Sequence, residues 1–304
     1  MTFSFSTTST VDFCEPNFKH SKYVAEPFNT LSSIPLIGLG AYQIYQAISL
    51  SLGKRFIAMG ISILFVGLGS FLFHLTLLFM GQLADEFAMV CAGVCYFISF
   101  HFQDDQSFQY RISILSLGIL YCLFFLITYL LFKEWYLFFI ASFVFLVATT
   151  FISAWRSVRV VPDVLGGNLL CNLFYYVLIA STMAAVFWLP DSVWCEYTQP
   201  YQLHALWHIV GLIPPFLMFT IIASRLYAER FRARTGKAVN IATGKILSLQ
   251  ETAALVLVDE CDPCNIVDGQ SASNGEVSAM TLIPRIDWTF HGYVPFFAFK
   301  NRFE

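Results

Sequence analysis

Three histidines stand in apolar stretches where an ionisable side chain is costly. His74 closes the run GSFLFHLT, and His204 and His208 open another in LHALWHI. Placing such a group inside a transmembrane helix costs a few kcal/mol or more, so each is a candidate for function. Residues four apart share one helix face, so His204 and His208 point one way, as do Ser70 and His74. Asp85, in QLADEF at the head of the next apolar run, adds a carboxylate. Three imidazoles with a fourth position open to water are a catalytic zinc arrangement, and zinc lowers the pKa of its water to about 7. On that reading Asp85 accepts or orients the water's proton, while Ser70 donates to the oxyanion formed at an attacked carbonyl. Each residue also has a plainer reading. A single intramembrane histidine often serves only as a packing hydrogen-bond partner, and Ser70, in the small-residue run GLGS, suits close helix approach. Glu86, beside Asp85 but on another face, reads as an interfacial or packing carboxylate; His20, His101 and His291 lie outside the cluster.

The elements that position these groups follow from composition. Hydrophobic residues make up 57% of the 304 positions and charged residues 12%, against roughly a quarter charged in soluble domains. The apolar residues form runs of the length that a hydrocarbon core of about 30 Å requires of a helix. Seven spans are expected, at about 28–50, 56–78, 83–102, 112–132, 135–155, 168–189 and 203–224. The fold class is therefore all-α: a polytopic membrane protein built as a seven-transmembrane helix bundle. A net charge of −3 offers no basic field for nucleic acid, and nothing points to an obligate protein partner. The opening MTFSFSTTSTVD lacks the basic and apolar regions of a cleavable signal peptide, so the first span is expected to direct insertion.

Cytosolic loops hold an excess of Lys and Arg. Lys54, Arg55, Arg111, Arg156, Arg159, Arg225, Arg230, Arg232, Arg234 and Lys237 fall on the C-terminal side of the bundle, against Lys19, Lys22 and Lys133 on the other. The N-terminus is thus expected to be lumenal and the C-terminus cytosolic. Span two then ends, and spans three and seven begin, at the lumenal face, which brings His74, Asp85, His204 and His208 to one depth. This agreement favours a metal over three separate packing histidines. The expected layout is a lumenal segment over 1–27, a catalytic bundle over 28–224 and a mostly disordered tail over 225–304, where DGQSASNGEVSA reads as flexible linker.

The lumenal segment VDFCEPNFKHSKYVAEPFN carries Asp12, Glu15, Asn17 and Glu26. Calcium takes six to eight such oxygens, although an acidic loop is commonly just solvated. Cys14 and Cys195 both fall in lumenal segments, where a disulfide persists. Cys261 and Cys264, in CDPC, have half a zinc-ribbon spacing without a second pair and read as incidental.

Taken in order, VDFCEPN with YVAEPFNTLSSIP, GSFLFHLT with QLADE, and LHALWHI resemble the signatures of the alkaline ceramidases. The resemblance runs from about Asp12 to Ala223 and leaves out the tail. It implies hydrolysis of the amide of ceramide to a sphingoid base and a fatty acid, with zinc on His74, His204 and His208. Asp85 would handle the water's proton and Ser70 the oxyanion. It further implies calcium on Asp12, Phe13, Glu15, Asn17 and Glu26, a Cys14–Cys195 disulfide, and residence in the endoplasmic reticulum or Golgi membrane. Phe13 stands where the family often has tryptophan, a change of little consequence if the ligand is a backbone carbonyl. Two other classes compete. Progestin and adiponectin receptors also hold a histidine trio, but they usually have a cytosolic N-terminus. A G-protein-coupled receptor would need an acidic-Arg-aromatic triplet after span three and Asn-Pro-x-x-Tyr in span seven, and both motifs are missing.

Overall fold

A computed structural model describes residues 7–102, 106–162 and 166–234, with side chains to 230, and further on only the backbone of four short strands. Among the described residues the chain is a helical bundle. Helices α1 (Pro27–Ser49), α2 (Lys54–Thr76), α3 (Phe79–His101), α4 (Phe108–Leu131), α5 (Tyr136–Arg159) and α6 (Gly167–Val193) are followed by the short α7 (Cys195–Thr198), a 3-10 turn (Gln199–Tyr201), α8 (Leu203–Val210) and α9 (Ile213–Arg234). A separate unit contains the backbone pairs β1–β2 (Val239–Asn240 with Lys245–Ile246) and β3–β4 (Ile286–Phe290 with Pro295–Phe299), both antiparallel. The linker DGQSASNGEVSA, Cys261, Cys264 and His291 lie outside the described residues.

Six stretches are long and apolar enough to cross a membrane: α2, α3, α4, α5, α6 and Leu203–Arg230. The protein is therefore a polytopic integral membrane protein. Helix α1 has the length of a span, 23 residues, but falls outside that group. The reason lies in its inner face, which buries Asn29, Thr30, Ser32, Ser33, Gln43 and Gln46. Those polar groups lower its mean hydropathy, and two of them, Ser32 and Ser33, contact His208 and Ser70.

The span expected over 203–224, with a kink at Pro214 and Pro215, is one membrane-crossing stretch built of two helices, α8 and α9, parted at Gly211 and Leu212. Pro214 and Pro215 have no N–H to give, so the carbonyls of Val210 and Gly211 lose their α-helical donors and the helix breaks. Neighbouring helices brace the break. Gln43 Nε2 and the Tyr96 hydroxyl donate to the Pro215 carbonyl at 3.1 and 3.0 Å, as broken helices in a bundle require. Helix α9 also continues to Arg234, ten residues beyond the expected end.

In lipid the helices gain little from apolar burial against one another, so small residues that admit close backbone contact decide the packing. A Cβ added at Gly40 of α1 would lie 2.3 Å from the backbone nitrogen of Leu64 in α2. At Gly69 of α2 it would lie 2.6 Å from the backbone nitrogen of Asp85 in α3. Helices α1, α2 and α3 are thus locked side by side around the residues with chemical potential.

The segment before α1 is strapped to the end of α2. Thr8 and Ser9 donate their N–H groups to Leu77, Ala25 to Leu75 and Glu26 to His74, each at 3.0 Å. These bonds satisfy carbonyls that a helix end leaves open, and they set Glu26 against His74. A disulfide joins Cys14 to Cys195, tying the segment to α7.

Candidate metal centre

His74 sits in the last turn of α2, and His204 and His208 project from one face of α8. All three are buried, and their ligand nitrogens lie within 4.8 Å of one another. Ring centroids are 5.0 Å apart from His74 to either partner and 4.7 Å between His204 and His208. His74 Nε2 and His204 Nδ1 are buried without a hydrogen-bond partner. Most buried polar atoms are paired, so unpartnered nitrogens converging from two helices are a fit for a metal ion. Nitrogen donors of this kind suit a first-row transition metal better than calcium or magnesium.

Each ring is held from behind. His74 Nδ1 lies 2.5 Å from Glu26 Oε2, and His208 Nδ1 lies 2.7 Å from Ser32 Oγ. His204 packs tilted on Phe13, with centroids 3.6 Å apart, next to Cys14, whose backbone N–H donates to Asp191 Oδ2 at 3.2 Å. Such partners orient metal-binding imidazoles and fix their tautomers. The plain sequence pattern gave no reason to select Ser32, Ser33 or Asp191. The only signals were paired hydroxyls in TLSSIP and an acid in WLPDSV.

The expected neighbours of the trio fare unequally. Ser70 Oγ is 3.2 Å from His208 Nε2 and 2.8 Å from Ser33 Oγ, so it borders the trio directly. Asp85 is buried on α3, its backbone packed on Gly69, one residue before Ser70. Glu86 is buried, its Oε1 accepting from Gln82 Nε2 at 3.0 Å, in keeping with the packing alternative. His101 binds Ser153 and Tyr110, a packing role.

The Gly69 contact gives a direct test. In Gly69→Ala the new methyl meets backbone, which has no flexible end to yield, so α3 must shift. Misplacing a catalytic group by about 1 Å can cost about 10²-fold in rate. A loss of that order is expected in any reaction that depends on Asp85. Gly38→Ala, where an added Cβ meets nothing within 4 Å, should leave turnover at the wild-type level.

The five expected calcium residues share one segment but have distinct partners. Asn17 Nδ2 donates to Asp12 Oδ1 at 2.9 Å in an exposed position. Glu15 accepts from the backbone N–H groups of Phe28 and Asn29 at 2.8 and 2.9 Å, capping α1. Burial raises its carboxyl above the usual carboxylate range, against the pull of those two hydrogen bonds. Glu26 is fully buried, and Asn29 Nδ2 donates to its Oε2 at 3.2 Å. Glu26 Oε1 and Asn29 Oδ1 remain buried acceptors without a donor. Oxygens left in that state suit a hard cation, and Glu26 is the residue common to this set and to the trio.

The fold and the site together define a class: a polytopic membrane protein with a buried histidine trio able to hold a metal, flanked by a hydroxyl. The chain belongs to the ceramidase family, whose model matches residues 5–240. It is 31% identical to alkaline ceramidase 3 of Mus musculus over 244 residues, 75% of this chain and 88% of that one. It is 28% identical to alkaline ceramidase 1 of Mus musculus, over 67% and 75% of the two chains. An alkaline ceramidase of Saccharomyces cerevisiae is 45% identical over a shorter stretch of 86 residues, 28% of this chain and 27% of that one.

Proposed function

We propose that this protein hydrolyses the amide bond of ceramide within the membrane, releasing a sphingoid base and a free fatty acid, with zinc held by His74, His204 and His208. The observation that carries this reading is the pair of unpartnered buried nitrogens on His74 and His204, beside Ser70, in a member of this family. Zinc, when bound, supplies a Lewis acid and a water of pKa about 7. Ser70 donates its proton to the oxyanion that forms as the amide carbonyl is attacked. Asp85 takes the proton from the attacking water and passes it to the departing nitrogen as the C–N bond breaks. Glu26 and Ser32 keep His74 and His208 oriented throughout.

Asp12, Phe13 through its backbone carbonyl, Glu15, Asn17 and Glu26 would hold calcium, which would keep the lumenal segment over 1–27 fixed against α2. The bundle over 28–224, with α1 as a seventh span, would hold the site near the lumenal face. The tail over 225–304 would lie in the cytosol of an endoplasmic reticulum or Golgi membrane. A substrate drawn from the bilayer suits a site sunk between helices.

Purified protein in detergent is expected to release fatty acid from fluorescent ceramide and to contain one zinc per chain. Zinc without hydrolysis of any ceramide would move the reading to a receptor of the progestin and adiponectin type. Chelating calcium with a calcium-selective agent should slow turnover while the zinc content stays constant. Unchanged turnover after chelation would remove calcium from this account.

A further inference from the structure

Two hydroxyls beneath the trio have a fixed number of protons to give. Ser32 Oγ donates to the Asn29 carbonyl at 3.0 Å, and Ser33 Oγ donates to the same oxygen at 2.8 Å. Each hydroxyl has one proton. With those protons on the carbonyl, Ser32 Oγ is placed to accept from His208 Nδ1 at 2.7 Å, and Ser33 Oγ to accept from Ser70 at 2.8 Å.

With Ser32 Oγ as the acceptor, His208 carries its proton on Nδ1, and Nε2 keeps the free lone pair.

One contact then has no proton in it. Ser70 Oγ lies 3.2 Å from His208 Nε2, yet the Ser70 proton points at Ser33. Two lone pairs face each other across that gap, a repulsive arrangement that a cation between them would relieve.

We propose that Ser32 and Ser33 are positioning residues that steer protons out of the cavity. Ser32 holds His208 as the Nδ1–H tautomer, and Ser33 draws off the Ser70 proton, so that His208 Nε2 and Ser70 Oγ both turn lone pairs inward. This rests on the reading of the trio as a metal centre and adds the residues that set its donor atoms. In turnover a charged oxyanion is a stronger acceptor than a neutral hydroxyl, so it takes the Ser70 proton from Ser33 at the moment of attack.

The test measures zinc affinity of the full chain in detergent by competition with a chelator. Ser32→Thr keeps the hydroxyl and should bind zinc like wild type. Ser32→Val has the same shape without it, and should bind about 10- to 100-fold more weakly, the usual effect of losing a partner behind a ligand. Ser33→Ala should weaken binding by freeing the Ser70 proton to engage Nε2, and it should have no such effect in a Ser70→Ala background. Equal zinc affinity in the valine and threonine variants, whether both tight or both weak, would overturn the role of Ser32. A Ser33→Ala effect that persists without Ser70 would overturn that of Ser33. A wild-type chain that binds no zinc would instead remove the metal reading itself.

Discussion

His208→Ala is expected to lose both zinc and ceramide hydrolysis. His208 supplies one of three buried imidazoles and contacts Ser70 at 3.2 Å, so its removal opens the chelate and frees Ser70 from its neighbour together. Losing one oxyanion donor alone typically costs about 10²–10³ in kcat. Here the group that activates water departs as well, and the loss should exceed about 10³-fold. Zinc content measured alongside activity separates the outcomes. Retention of zinc with lost activity would show His208 acting in the reaction but not as a ligand, and full activity would sink the site.

Glu26→Ala is expected to have the next largest effect because it strikes two constellations at once. The carboxylate accepts from His74 Nδ1 and from Asn29, and its second oxygen is one of two buried acceptors without a donor. Without it the His74 ring loses the partner that orients it, and zinc affinity should fall about 10- to 100-fold. The buried Nδ1–H left unpaired should cost about 1–3 kcal/mol of stability. Calcium dependence of turnover should disappear in the same variant. Glu26→Gln retains an oxygen acceptor for Nδ1–H and should keep much of the zinc affinity while losing the calcium response. Equal zinc affinity in wild type and Glu26→Ala, by chelator competition, would place Glu26 outside the metal centre.

The weight that Glu26 carries was only half legible beforehand. Its position in an acidic N-terminal segment suggested an ion ligand, but no spacing rule relates residue 26 to residue 74. Their contact depends on the backbone bonds that strap Ala25 and Glu26 to Leu75 and His74. Ser32 and Ser33 were hidden for a similar reason. Hydroxyls in an apolar helix are common packing groups, and only their placement under His208 and Ser70 distinguishes them.

The membrane class, the helical fold and the identity of the histidine trio were determined by sequence alone. Long apolar runs force helices in lipid, and ionisable residues there are too costly to be incidental. Local helix spacing also fixed which of them share a face, because i and i+4 meet on any α-helix. The tertiary structure decided what spacing cannot reach. How the proline break between α8 and α9 is braced depends on Gln43 and Tyr96 donating to a carbonyl from other helices. The packing of Asp85 beside the Ser70 turn depends on an α2–α3 approach that only a glycine permits. The 2.8 Å contact that the Ser70 hydroxyl makes is with Ser33, 37 residues away in sequence. Periodicity sets what one helix presents, whereas contacts between helices set which lone pairs and protons meet.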